Sequence, residues 1–374
     1  MPNRRPETRT IIFASPNFGV GGPGRVFARL ATEFRKIGWD THVFSMNGEE
    51  AQDLNRDIAF HLIPERSTWS ARYPVLPLAR LVRDLTPTVV LTTQAMDYAA
   101  AGGRSLWPRG TLHAARPANV LSAYSASMPR KKRHALLPLA AKWALHSADV
   151  VICQSRDIRS DVQILAPLSS TAIVGNPAPD LTGPFHRLEV RSARIVAAGD
   201  LIPRKAFDLL IRAFALTQAR GAGYSLVILG EGPERGRLTR LVETLDLRNS
   251  VLLPGHVSDP LATFASSRLL VSSSQHEGFS NVIVEALSCG TPVVATDCPG
   301  GARDIIRSHL QGTVETSRDP LALATAMDRV LAQNGDCEQI RGRTLDDFGV
   351  EVIVEKYIKA FGEPRKALAT ANTQ

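Results

Sequence analysis

Short β-rich runs alternate with helical stretches along most of the chain, in two successive series. The first series places extended runs at 10–15, 41–45, 59–63, 89–93, 111–114, 150–153 and 171–174. The second places them at 194–198, 225–229, 251–253, 269–271 and 293–295. Runs separated by helix-length segments cannot close as hairpins, so the pattern predicts parallel sheets with helices on both faces. Between the series, Pro177, Pro179, Gly183 and Pro184 mark a linker. At 374 residues the chain is too long for one ordinary core. We therefore expect a Rossmann-like domain over 1–176, a linker over 177–190 and a second such domain over 191–349. Residues 350–374 should hold a helix that crosses back to the first domain, followed by a tail. Two doubly wound domains facing each other would form a central crevice at the C-terminal ends of their strands, where such sheets bind ligands.

The most informative stretch is 272–304, SSSQHEGFSNVIVEALSCGTPVVATDCPGGARD. A strand ends in serines, then Glu277-Gly278-Phe279-Ser280-Asn281 leads into an apolar helix. Small polar residues ahead of a helix start leave free N–H groups at its positive end, a ready site for phosphate. Glu285 follows Asn281 by four residues, on the same face and one turn deeper, within reach of hydroxyls beside that phosphate. Glu277 sits just before the turn. A phosphate cradle edged by two carboxylates suits a nucleotide-sugar, whose ends are polyols and whose middle is a diphosphate.

Glu277 and Glu285 stand eight positions apart, with Gly278-Phe279, Ala286, Gly290-Thr291-Pro292-Val293 and Gly300-Gly301 around them. In these residues the chain resembles the retaining, nucleotide-sugar-dependent glycosyltransferases of family 4, which carry a Glu-x7-Glu element on the α/β GT-B fold. The resemblance implies that Glu277 orients the transferred sugar and Glu285 holds the ribose. It extends to Gly199-Asp200-Leu201-Ile202-Pro203-Arg204-Lys205, where the family keeps a Lys at the place of Lys205. Relatives commonly set an Arg where this chain has Asp200; Arg204 can supply that cation from the other side. Gly230 and Gly232 match a turn near the nucleotide, and His256-Val257 a loop whose main chain meets the base. Gly278, Phe279, Ser280 and Asn281 would line the phosphates. In the first half, Gly21 and Gly22 match the loop that faces the donor phosphates, with a helix expected from about Pro23 to Ile37. His113, Arg116 and Asn119 stand where relatives place acceptor-facing residues, although His113 can equally lie within its strand. The 297–304 run is closest to members that build bacterial surface polysaccharides and lipid-linked oligosaccharides.

No metal-ligand cluster or Asp-x-Asp element falls where it would hold a diphosphate. We expect no metal or other cofactor: Lys205, Arg204, the N–H groups at Ser280-Asn281 and helix dipoles would meet the leaving group's charge. The expected partners are a nucleotide-sugar, UDP-linked by analogy with relatives, and a glycan or lipid-linked acceptor. Alternatives are a sugar-nucleotide epimerase or hydrolase on the same fold and a non-catalytic nucleotide-sugar sensor. A dinucleotide oxidoreductase lacks support, because no GxGxxG is followed by a ribose-binding acid.

Charge is unevenly placed. Residues 1–190 hold 23 Lys and Arg against 15 Asp and Glu, whereas 191–374 hold 21 of each. Arg130-Lys131-Lys132-Arg133-His134 leads into an apolar helix containing Trp143. That sequence fits a face lying on an anionic membrane, or a solvated basic turn before a half-buried helix. No basic-aromatic interleaving or DNA-binding pattern suggests nucleic acid. The apolar run after the basic N-terminus is too short for a signal peptide, and no 18-residue apolar span predicts a membrane helix. Cys153, Cys289, Cys298 and Cys337 lack paired spacing, as expected of free thiols in a reducing cytoplasm.

Overall fold

The computed structural model describes residues 9–18, 22–46, 54–63, 74–122, 137–181, 190–333 and 335–362. The chain divides into two compact units, one running to Pro177 and including the helix Val350–Gly362, the other spanning Ala178–Gly349. Each unit holds one sheet.

The first sheet contains β1 (Thr10–Ser15), β2 (Asp40–Ser45), β3 (Ala59–Leu62), β4 (Val89–Thr93), β5 (Leu112–Arg116), β6 (Val150–Cys153) and β7 (Thr171–Ile173). Their order is β3-β2-β1-β4-β5-β6-β7, and each neighbouring pair is parallel. Alternate side chains of a strand face opposite sides, and β1 is buried on both. Ile12 and Ala14 join a cluster with Leu78, Val82, Met96 and Ala99 from the helices Val75–Leu85 and Ala95–Gly103. Phe13 points the other way, meeting Phe27 and Phe34 of the helix Gly22–Lys36 at 5.6 and 5.7 Å between ring centroids, both edge to face. Such pairs add about 0.5–1.5 kcal/mol each beyond area burial. Phe361 of the last helix packs on Phe34 at 6.2 Å, so the C-terminal helix covers this same face.

The second sheet contains β8 (Ser192–Ala198), β9 (Ser225–Leu229), β10 (Val251–Gly255), β11 (Ser267–Ser272), β12 (Val293–Thr296) and β13 (Gly312–Glu315). Its order is β10-β9-β8-β11-β12-β13, again parallel throughout. Ile195, Ala197, Leu269 and Val271 pack under Leu210, Ile211 and Phe214 of the helix Phe207–Leu216 and Leu323 and Met327 of the helix Pro320–Leu331. Val196, Leu270 and Val293, facing the opposite way, are equally buried. Burial on both faces explains why these strands read as continuous apolar runs instead of alternating ones.

Several strand ends differ from the sequence expectation by one or two residues, β8 and β11 starting two earlier and β10 ending two later, and one strand is additional. β13 was not expected: it is a four-residue GTVE edge strand, too short and too polar to declare itself. β5 runs two residues beyond its expected end, to Arg116. The Gly19–Gly21 turn, the 130–134 basic run, 182–189 of the linker and the 363–374 tail lie outside the described residues. Among the described residues no helix is long and apolar enough to cross a membrane.

Candidate active site

In the second sheet the chain steps from β8 outward in both directions, to β9 on one side and to β11 on the other. Loops that leave neighbouring strands at such a switch point diverge and open a ligand site. Here the loop after β8 carries Arg204 and Lys205, and the loop after β11 carries Ser274 and Glu277. They meet through charge. Lys205 Nζ lies 2.6 Å from Glu277 Oε1, and Arg204 Nη1 lies 2.5 Å from Oε2. Ser274 Oγ donates to Oε1 at 2.6 Å, and Arg204 Nη1 also donates to the His276 carbonyl at 3.1 Å. Main-chain bonds bind the loops too: Gln275 N donates to the Arg204 carbonyl, and Ser273 Oγ to that of Lys205, both at 2.8 Å.

Glu277 is buried. Burial alone would raise its pKa, but the charges of Lys205 and Arg204 outweigh it and hold the carboxyl below its ordinary value. His276 next to it is shifted below its ordinary value, by burial first and then by Arg204. Local backbone geometry fixes the cations. Pro203–Lys205 forms one 3-10 turn, closed by Ala206 at φ +47°. A left-handed alanine costs about 1–2 kcal/mol, a strain that sits directly after the proposed functional lysine.

Glycines let the surrounding loops close. A Cβ on Gly230 (φ +134°) would lie 2.1 Å from the Gly199 carbonyl oxygen. One on Gly300 (φ +130°) would lie 2.4 Å from that of Glu277. Only glycine fits either place. The Gly230–Gly232 turn is held by Arg235, which pairs with Glu231 at 2.5 Å and donates to the Leu253 carbonyl at 3.0 Å. His256 is exposed and Val257 half-buried just beyond β10.

The helix Asn281–Ser288 begins after Ser280, which is buried yet makes no side-chain cap. Its Oγ has no hydrogen-bond partner among the described residues. A buried hydroxyl left unspent at a helix start is a donor that a water or a ligand can take up. Glu285 is half-buried one turn on, and Gly278 is enclosed. The Phe279 ring packs on Phe348 at 5.9 Å, so its side chain belongs to the core, and only its main chain is available to a donor. Asp200 is exposed and Gly199 half-buried; the second cation is Arg204.

Residues that the motifs alone did not single out complete this loop pair. Ser274 orients the Glu277 carboxylate, and Arg318 donates to the Ser274 and Ser273 carbonyls at 2.9 and 3.2 Å. The serine run before Glu277 was a visible signal for the first. Arg318 had none, being 44 residues away from Ser274 in sequence.

In the first unit the structure selects one of the two alternatives for His113 and corrects the expectation for Arg116. His113 lies inside β5, fully buried, with Nε2 2.9 Å from Thr92 Oγ1; Thr92 in turn donates to Asp97 Oδ1 at 2.6 Å. Burial, with Arg104 adding to it, lowers the His113 pKa to about 4. Arg116 is also buried: Nε donates to the Tyr357 hydroxyl at 3.0 Å, Nη2 donates to Asn176 Oδ1, and the guanidinium lies over the Phe27 ring. Both side chains are consumed by the fold and cannot touch an acceptor there. Asn119 is half-buried in the loop beyond, and Gly22 opens its helix while Gly21 lies outside the described residues.

Two parallel doubly wound units with this arrangement define the GT-B class. The structure superposes on a point mutant of TarM of Staphylococcus aureus, solved with fondaparinux, alpha-GlcNAc-glycerol and UDP, with a TM-score of 0.76. The match covers 95% of this chain and 100% of that one at 12% identity, a likeness of fold. Two family models match in succession: Glycosyltransferase Family 4 over residues 20–177 and Glycosyl transferases group 1 over 185–344. Between them they take in most of the sequence, and the chain belongs to this glycosyltransferase family. It is 40% identical over 111 residues to the N-acetylgalactosamine-N,N'-diacetylbacillosaminyl-diphospho-undecaprenol 4-alpha-N-acetylgalactosaminyltransferase of Campylobacter jejuni, a match covering 30% of each chain. It is 22% identical over 351 residues to the capsular polysaccharide biosynthesis glycosyltransferase CapM of Staphylococcus aureus, covering 86% of this chain and 89% of that one. The chain spans about half the length, or less, of the first curated relatives it matches.

Proposed function

We propose that this protein is a retaining hexosyltransferase that moves a sugar from a UDP-sugar to a glycan or lipid-linked acceptor in surface-polysaccharide or glycoconjugate synthesis. The observation that carries the reading is the pairing of Lys205 and Arg204 on one buried carboxylate, beside a helix start whose Ser280 hydroxyl is unspent. A departing diphosphate gathers negative charge, and two preorganised cations with the Ser280 hydroxyl at the positive end of the helix stabilise it. The Asn281 N–H, expected to share in this, already donates to the Phe279 carbonyl at 3.0 Å. The two cations and the hydroxyl take the place of a divalent ion in the proposed mechanism.

Glu277 then has a definite capacity. A carboxylate offers about four acceptor sites, and Lys205, Ser274 and Arg204 occupy three contacts on it. The remaining site on Oε2 can accept a hydroxyl of the transferred sugar. Glu285, deeper on the helix, serves the ribose, while the main chain around His256 and Val257 serves the base. In the transfer step the acceptor hydroxyl attacks the anomeric carbon on the face from which UDP departs. The bond to phosphate breaks, the new glycosidic bond forms, and the hydroxyl proton passes to the departing phosphate oxygen. UDP and a diphospho-undecaprenol acceptor, named for relatives of this chain, support the choice of donor and acceptor class. Such chemistry belongs at the cytoplasmic face of a membrane.

Calorimetric titration with UDP, GDP and ADP, with and without EDTA, tests the site. UDP-selective binding that survives EDTA is expected. Binding that EDTA abolishes would replace the Lys205–Arg204 mechanism with a metal-dependent one, and no nucleotide binding at all would remove the donor site.

A further inference from the structure

Two helices of the first unit present matching stripes to solvent. On the helix Leu137–Ser147 the outward residues are Leu139, Lys142 and Trp143, with half-buried His146 one turn further. On the helix Val75–Leu85 they are Leu76, Arg80 and Arg83. At about 100° per residue each set falls within one face of its helix. The apolar members are widely open: Leu76 is 59% exposed, Leu139 62% and Trp143 51%. The stripes join at Gly102, where an added Cβ would sit 3.1 Å from Val75 Cγ2 and 3.8 Å from Trp143 Cη2. The indole therefore reaches to the seam beside Val75.

Single exposed leucines are ordinary, but a tryptophan and two leucines with three cations on adjoining faces are not. Arg80, Arg83 and Lys142 form no ion pair with a described residue, so their charge is uncommitted. Asp84, turned about 80° from Leu76, flanks the stripe. Four basic residues, Arg130 to Arg133, precede the second helix in sequence, and the whole +8 of the chain belongs to residues 1–190. Apolar tips between long cationic side chains match an interface in which rings and alkyl groups enter the acyl boundary while ammonium and guanidinium groups stay at phosphate level. We propose that this two-helix face docks on an anionic lipid bilayer. The inference sharpens the membrane-face location proposed above, but it can be read without any glycosyl transfer.

The experiment is flotation of the purified full chain with phosphatidylcholine vesicles and with equimolar phosphatidylcholine–phosphatidylglycerol vesicles, at ~0.1 and ~0.5 M NaCl. Partition into anionic vesicles is expected to be roughly tenfold or more above neutral ones and to fall at high salt. Arg80→Glu with Arg83→Glu should lower anionic partition by about tenfold or more, each cation being worth roughly fivefold at such a surface. Leu139→Gln with Trp143→Gln should lower it at least as far. UDP titration and thermal melting of the same variants report whether they fold, and UDP binding separates failure of this surface from failure of the donor site. Equal partition into both vesicle types overturns the proposal, as does wild-type partition in folded variants. So does loss of binding only when residues 130–133 are neutralised, or binding of a single-stranded oligonucleotide with the same sensitivity to both variants.

Discussion

Each unit keeps a cluster of buried polar side chains, and the two clusters differ in their access to solvent. In the first unit Arg116 binds Asn176 and Tyr357, and Thr92 binds Asp97 and His113; the one buried atom of this set without a hydrogen-bond partner among the described residues, His113 Nδ1, is sealed from solvent. In the second, Glu277 draws Lys205, Arg204 and Ser274 together, yet Ser280 keeps an unspent hydroxyl and both cations remain partly open, Arg204 with 28% of its side chain exposed and Lys205 with 14%. A buried charge with all its contacts inside the chain holds a fold. One with capacity left over, next to solvent, is available to a ligand.

Removing a member of each cluster should break the protein in different ways. Arg116→Ala strands the Tyr357 hydroxyl in the interior, removes a donor to Asn176 Oδ1 and empties the largest fully buried side-chain site. A loss of about 3–5 kcal/mol in unfolding free energy is expected, and denaturant melting measures it. A loss under about 1 kcal/mol would mean that water replaces the guanidinium.

Lys205→Ala should cost less stability than Arg116→Ala, because Arg204 and Ser274 still meet Glu277, while lowering kcat by roughly 10²-fold or more, the scale of losing one preorganised contact to a leaving group. Steady-state assays at saturating donor give the number. A variant with normal kcat and a raised KM would move Lys205 from the departing phosphate to ground-state binding.

The smallest effect concerns pH. Burial, opposed by the Thr92 hydrogen bond and Arg116, raises the Asp97 pKa from 3.8 to about 7. Its contribution to stability is full below about pH 4 and is lost as pH rises toward 7. His113 runs the other way: with its pKa lowered from 6.5 to about 4, its contribution is full above about 6.5 and lost as pH falls toward 4. The two slopes oppose each other across nearly the same window. Asp97→Asn should expose the His113 slope, with the melting temperature falling as pH falls from 6.5 to 4. His113→Gln should expose the Asp97 slope, with the melting temperature falling as pH rises from 4 to 7. Parallel profiles for the two variants would show that the groups do not titrate as the burial implies.

The same contrast explains what is legible in the sequence. Strands such as Val89–Thr93 and Ser225–Leu229 stood out because burial on both faces writes uninterrupted apolar runs. The residues of 272–304 and Gly199–Lys205 were legible because their types are dictated by local chemistry: glycine at forced dihedrals, cations and carboxylates in fixed order. Their mutual attachment was not, since Lys205 and Glu277 are 72 residues apart. Arg116 misled for the same reason. Its partners stand 60 and 241 residues further on, so nothing near it in sequence showed that its charge was already claimed.

The return of the helix Val350–Gly362 to the first unit also sets a schedule for synthesis. Arg116 leaves the ribosome 241 residues before the tyrosine that satisfies it. At cellular elongation rates this interval is about 12 to 48 s. Throughout it, the face that Phe361 will cover is bare, and the first unit waits as an unfinished body while the second can fold behind it. The last helix to be translated therefore closes the first domain to be made, and a nascent chain stalled before Val350 would present that open face to chaperones.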